Sequence, residues 1–197
     1  YKRQACAHKF GGPKGVGFML LPERELDFRL LEGGEQEATH RAGTEDVASV
    51  LAMSAALEHS NSGNVEARDV FIEQIVQAIP GVALIGAGTD RLWNTVSMSM
   101  PRHQSVRWIR ALEKAGFLLS SGSACSTGKT SVSEVLLAMG IDAAVAGRVL
   151  RISAGAETTT EDWQALADAL LVTYELLNEE ADSCLLYTSP SPRDLYR

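Results

Sequence analysis

Four short stretches concentrate side chains that do chemistry. In "AHKFGGPKGVG", residues 7–17, His8 and Lys9 lead into a run with four glycines and a proline, which makes a tight turn with exposed backbone. An amine in that position can face a cofactor or a phosphate. A lysine used as a Schiff-base nucleophile must be held near neutral charge by burial or cationic neighbours. A solvated lysine at a surface turn fits the same residues. The stretch is not a Walker A loop, since Gly15 is followed by Val16 and not by Lys and Ser or Thr.

The second stretch, "SSGSACSTG" at 120–128, sets Cys125 among serines, glycines, an alanine and a threonine. A free cysteine is usually a small buried hydrophobe, yet nothing in this run is large enough to anchor it in a core. Either it is an incidental loop cysteine or its thiol must travel to a substrate. No His or Arg flanks it to lower the thiol below its free pKa of about 8.5; Lys129 is the nearest cation. In the third, "VLRISAG", Arg151 follows two apolar residues within an expected strand. A planar guanidinium there is either a clamp for a substrate carboxylate or half of a salt bridge to one of the 25 acidic residues. In the fourth, "GGEQEATHRAGTED" at 33–46, Gly43 and Thr44 stand at a helix start, where backbone N–H groups and a hydroxyl suit an anion.

These residues need a scaffold, and the bulk numbers bound it. A chain of 197 residues, 45% hydrophobic and 22% charged, is ordinary globular material for one generous domain or one and a half smaller ones. A net charge of -7 argues against a nucleic-acid surface. No apolar run approaches the ~18 residues of a membrane span. Cys6, Cys125 and Cys184 are odd in number and widely spaced, a pattern of neither a disulfide framework nor a zinc site, and one that suits a reducing cytoplasm.

The elements follow from periodicity. "VGFMLL" (16–21) reads as a strand. Thr44 is the expected N-cap of a helix carrying Val47, Val50, Leu51, Ser54 and Leu57 at helical spacing. A second helix is expected from Val65 to Ala78, then strands at 82–86 and 94–100, a helix over 103–115 and a strand at 117–120. After the cysteine loop, Ser131 and Glu134 form a capping-box pair. A strand at 148–153 and a helix behind "ETTTEDW", running to about Asn178, complete the pattern. Strands and helices interleave after residue 60, which predicts an α/β domain with helices covering one sheet. "SCLLYTSPSPRDLYR" lacks apolar periodicity and resembles vector read-through; with no initiator Met at the start, the chain reads as cut from a longer one.

In order and spacing, "AHKFGGPKGVG", "GGEQEATHRAGTED", "NTVSMSMP", "SSGSACSTG" and "LRISAGAETTTED" resemble the C-terminal half of a pyridoxal-phosphate-dependent cysteine desulfurase of the class V aminotransferase family, over about residues 5–180. The "SSGSAC" form is similar to the nitrogenase and iron–sulfur-cluster group. The resemblance implies an α/β fold of the fold type I PLP-dependent transferases. Residues 1–60 would be the C-terminal part of the large cofactor domain, 61–182 the small C-terminal domain with the cysteine loop, and 183–197 a non-native tail. It implies that Lys9 carries pyridoxal 5'-phosphate, that His8 contacts its phosphate, and that Thr44 reaches the phosphate of the partner subunit in a homodimer. It makes Cys125 the nucleophile and Arg151 the grip on the substrate carboxylate. L-cysteine would become L-alanine, and the persulfide on Cys125 would pass to an acceptor such as an iron–sulfur scaffold, in the cytoplasm, with no metal, nucleic acid or membrane involved.

The chain departs from the family pattern in places. Cys6 stands where the family usually has Ser, Glu35 where a third glycine is common, and Ala38-Thr39 where Arg-Gly is frequent. The family's N-terminal half supplies the histidine stacked on the cofactor ring and the aspartate on its pyridine nitrogen, so the isolated segment is expected to be inactive. The competing identities are a selenocysteine lyase or aminotransferase of the same class, and a non-catalytic remnant that folds without cofactor.

Overall fold

Glycines decide the first element. A Cβ at Gly17 would overlap the Ala5 carbonyl oxygen, and Gly11 and Gly15 both hold φ of +87°. The chain therefore doubles back as an antiparallel hairpin, β1 (Arg3–Cys6) on β2 (Gly17–Leu20), in register from Arg3↔Leu20 to Cys6↔Gly17. This computed structural model describes residues 3–22, 29–60, 63–122 and 133–186, with side chains through 179. The chain divides into two compact units, Tyr1–Ser62 and Gly63–Arg197.

In the first unit, α1 (Val47–His59) starts two residues later than an N-cap at Thr44 would require. Asp46 is the cap. Its carboxylate accepts from the Ser49 N–H at 3.1 Å and from the Ser49 hydroxyl at 2.6 Å. An acid at this end also faces the positive pole of the helix dipole, and both hydrogen bonds hold the Asp46 carboxyl below its ordinary pKa. Thr44 is exposed in the turn before it.

The second unit is built on an antiparallel sheet, β3 (Ala83–Leu84), β4 (Thr95–Ser99) and β5 (Val149–Ser153), in that spatial order. Alternation along the central strand sends Val96 and Met98 into the core, and Leu150 and Ile152 of β5 join them. Against this face pack α2 (Val65–Ala78), α3 (Ser105–Lys114) and α6 (Thr160–Leu186). Phe71 of α2 meets Trp163 of α6 with ring centroids 4.9 Å apart and planes tilted by 47°, a geometry that aromatic quadrupoles favour. Trp108 of α3 is fully buried, stacks on Tyr174, and donates its indole N–H to the Arg102 carbonyl at 3.0 Å. Asn64 caps α2 through the Ala67 N–H and donates to the Thr160 hydroxyl, which ties the starts of α2 and α6 together. The short helices α4 (Glu134–Ala138) and α5 (Ala143–Ala146) form a smaller cluster around Leu136, Ala146 and Val149.

Three expectations are corrected. Thr44 gives way to Asp46 as cap. The strand expected at 117–120 shrinks to a single antiparallel bridge, Ser120↔Arg151. Residues 117–119 and Ile152–Ala154 instead line part of a cavity of about 230 Å³. The last helix runs to Leu186 and not to Asn178, which carries it into the segment set aside as a tail. Its start is as expected: Thr159 and Asp162 form a reciprocal cap, with the Thr159 N–H donating to the carboxylate at 2.8 Å and the Asp162 N–H to the Thr159 hydroxyl at 3.2 Å. Ser131 lies outside the described residues, and Ser133 occupies the N-cap position of α4 without a side-chain cap.

Candidate active site

Lys9 and His8 sit on a 3₁₀ turn, Ala7–Lys9, at the end of β1. The turn is fixed through its buried first residue. The Ala7 N–H donates to the Val16 carbonyl at 3.0 Å, and the Ala7 carbonyl accepts from the N–H groups of Phe10 and Gly12 at 3.0 and 2.9 Å. Gly12 comes so close that a Cβ there would lie 2.8 Å from that of Ala7. With the backbone held this way, His8 and Lys9 both face outward. Among the described residues the Lys9 amine joins no ion pair. The turn packs against α1 within the same unit. Cys6 is exposed at the end of β1, opposite Gly17.

Thr44 follows Gly43, whose φ of +101° turns the chain just before α1. Arg41 braces this turn: its Nη1 donates to the carbonyls of Gly43 at 2.8 Å and Ala42 at 3.3 Å, while Nη2 pairs with Glu37 at 3.3 Å. Sequence reasoning passed over Arg41, although a cation directly before Ala-Gly-Thr was the available signal. The loop ahead of it carries Glu37, Ala38 and Thr39 at φ of 53°, 53° and 70°. None of the three is a glycine.

Arg151 lies at the middle of β5, paired across the ladder with Ser97 of β4. Its side chain is half-buried. Among the described residues no carboxylate pairs with it, so the salt-bridge alternative finds no partner there. Its side-chain acceptor is the Ser120 hydroxyl, at 3.4 Å from Nη2. Sequence reasoning treated Ser120 only as the last residue of an expected strand and the first of the cysteine loop. Cys125 and Lys129 lie outside the described residues. Lys9, His8 and Thr44 belong to the first unit and Arg151 to the second.

An aldehyde cofactor with a phosphate needs an amine that can condense, donors for the phosphate, and a rigid backbone beneath them. The 7–12 turn offers an outward amine with no ion pair among the described residues, an adjacent imidazole and a backbone pinned at Ala7. Those donors are of the kind pyridoxal phosphate takes, while the exposure of Lys9 is also what a solvated lysine at a surface turn shows. Among the described residues no group of three His, Cys, Asp or Glu side chains is placed to hold a metal ion.

A family model described as Aminotransferase class-V matches residues 4–166. The cysteine desulfurase IscS of Dictyoglomus turgidum is 34% identical over 171 residues, covering 83% of this chain and 43% of that protein. The solved structure of a NifS-like protein superposes with a TM-score of 0.68 at 25% identity, over 89% of this chain and 46% of its own. SspA, solved in complex with cysteine, superposes with a TM-score of 0.56 at 26% identity, over 80% of this chain and 45% of its own. The chain spans about half the length of the curated relatives it matches.

Proposed function

The chain belongs to the class-V aminotransferase family and has the α/β architecture of its fold type I members, and on that premise we propose that it is the C-terminal portion of a cysteine desulfurase using pyridoxal phosphate. The enzyme takes L-cysteine to L-alanine and leaves the sulfur as a persulfide on Cys125. The observation that carries this reading is Arg151: a half-buried guanidinium inside a strand, held by a hydroxyl and lacking a carboxylate among the described residues. A substrate carboxylate completes it.

The roles divide by chemistry. Arg151 grips the amino acid by its carboxylate through a forked, charge-assisted contact. Lys9 holds the cofactor and moves protons at its Nζ, while His8 and Thr44 contact phosphate. Cys125, as thiolate, attacks the substrate sulfur and keeps it when the carbon–sulfur bond breaks. When bound, pyridoxal phosphate supplies the electron sink for the amino-acid carbons. Similarity to an IscS and to a protein solved with cysteine supports L-cysteine as substrate. The reading extends to a cytoplasmic homodimer that hands its sulfur to an acceptor protein such as an iron–sulfur scaffold.

Two variants of the full-length enzyme separate these roles. Cys125→Ser keeps the cofactor and its absorbance but releases neither alanine nor sulfide at a useful rate, because a hydroxyl is a far weaker nucleophile toward sulfur than a thiolate. Lys9→Ala loses the absorbance of lysine-bound cofactor. Normal turnover by Cys125→Ser would overturn the assignment.

A further inference from the structure

Two hydrogen-bonded connections meet at Ser120. Its backbone makes the bridge to β5: the Ser120 N–H donates to the Arg151 carbonyl at 3.2 Å, and the Arg151 N–H donates to the Ser120 carbonyl at 2.6 Å. Its hydroxyl oxygen accepts from Arg151 Nη2 at 3.4 Å and from the Gly122 N–H at 3.1 Å. A hydroxyl has two acceptor sites, and here both are occupied. One belongs to the guanidinium and the other to the backbone two residues on.

We propose that Ser120 is a positioning residue that fixes the Arg151 guanidinium for the substrate carboxylate. The inference rests on Arg151 being the carboxylate clamp. The backbone bridge already sets where the two chains lie, so the hydroxyl's contact with Arg151 contributes something other than the pairing itself. What it adds is direction. An arginine side chain has many rotamers, and a carboxylate fork demands one planar orientation. The Ser120 oxygen engages a single N–H of Nη2 and leaves the other guanidinium donors for the ligand. Its second acceptor site, filled by Gly122, keeps the hydroxyl itself from turning away.

Binding to the full-length holoenzyme, measured by calorimetry, tests this with two probes: L-alanine, which carries a carboxylate, and ethylamine, which does not. Ser120→Ala weakens L-alanine binding by about 3- to 10-fold, the range of one hydrogen bond, and leaves ethylamine unchanged. Ser120→Thr, which keeps the hydroxyl, binds L-alanine as wild type does. Ser120→Cys, close in size but a weak acceptor, behaves as Ser120→Ala and serves if the alanine variant does not fold. In an Arg151→Ala background Ser120→Ala costs nothing further, since the group it orients is gone. Wild-type affinity for L-alanine in Ser120→Ala, with Arg151→Ala weakened, overturns the role of Ser120 and leaves the clamp standing. Wild-type affinity in Arg151→Ala overturns the clamp itself. Equal losses for both probes in Ser120→Ala mark a merely structural residue and also overturn the inference.

Discussion

A guanidinium half-buried in a β-strand loses hydration that something must replace, and at Arg151 the described residues supply one hydroxyl at 3.4 Å. Under the proposed function a substrate carboxylate supplies the rest. Arg68, on α2, shows the contrast: it donates to Asp69 at 2.7 and 2.8 Å and to the Leu92 carbonyl at 2.7 Å. Its donors are used within the protein. Arg151→Ala therefore weakens cysteine binding in the full-length enzyme, by about 1.5–3 kcal/mol for a charge-assisted contact, and leaves the thermal transition of the protein nearly in place. KM for L-cysteine and a melting curve check this together. A collapsed transition with unchanged substrate affinity would make Arg151 a structural residue. Arg151 could be singled out from sequence because a charge between apolar neighbours stands out. Ser120 could not, since its importance comes from a contact 31 residues away.

At the scale of elements, legibility followed local physics. The helix expected from about Val65 to Ala78 spans those residues in the structure, where Asn64 caps it. The strand expected at 94–100 is present as β4, whose alternation puts Val96 and Met98 in the core. The start of α1 was misread because Thr44 and Asp46 are both good caps, and the choice depends on which one reaches Ser49. The strand at 117–120 is reduced to one bridge, and whether a segment pairs with a distant strand is a tertiary matter that no local pattern reveals. The loop before Thr44 carries its own test. Thr39 is exposed and holds φ of 70°, a conformation that crowds a β-branched side chain and that glycine adopts freely. Thr39→Gly should stabilise the chain by about 0.5–1 kcal/mol, after glycine's own entropic cost, as read by urea denaturation. A loss of stability would show that the left-handed turn is not the native one.

For the whole molecule, the family and fold are those of class-V aminotransferases, and the chain spans about half the length of its curated relatives. Helix α1 leaves Val47 and Leu51 more than half exposed and buries only Met53. The order of the motifs made the family readable, because five short stretches, each weak by itself, follow one another at the family's spacing. What sequence could not supply was the arrangement in space of Lys9, Cys125 and Arg151, which depends on the whole enzyme. The central claim is that sulfur leaves the substrate onto Cys125, and a single turnover with L-cysteine in the absence of reductant tests it most directly. Mass spectrometry of the digested full-length enzyme should find one added sulfur atom on the peptide containing Cys125, removed by a thiol reductant, and none on the peptide containing Cys6. Added sulfur on Cys6, or alanine formed with no sulfur on Cys125, would contradict it.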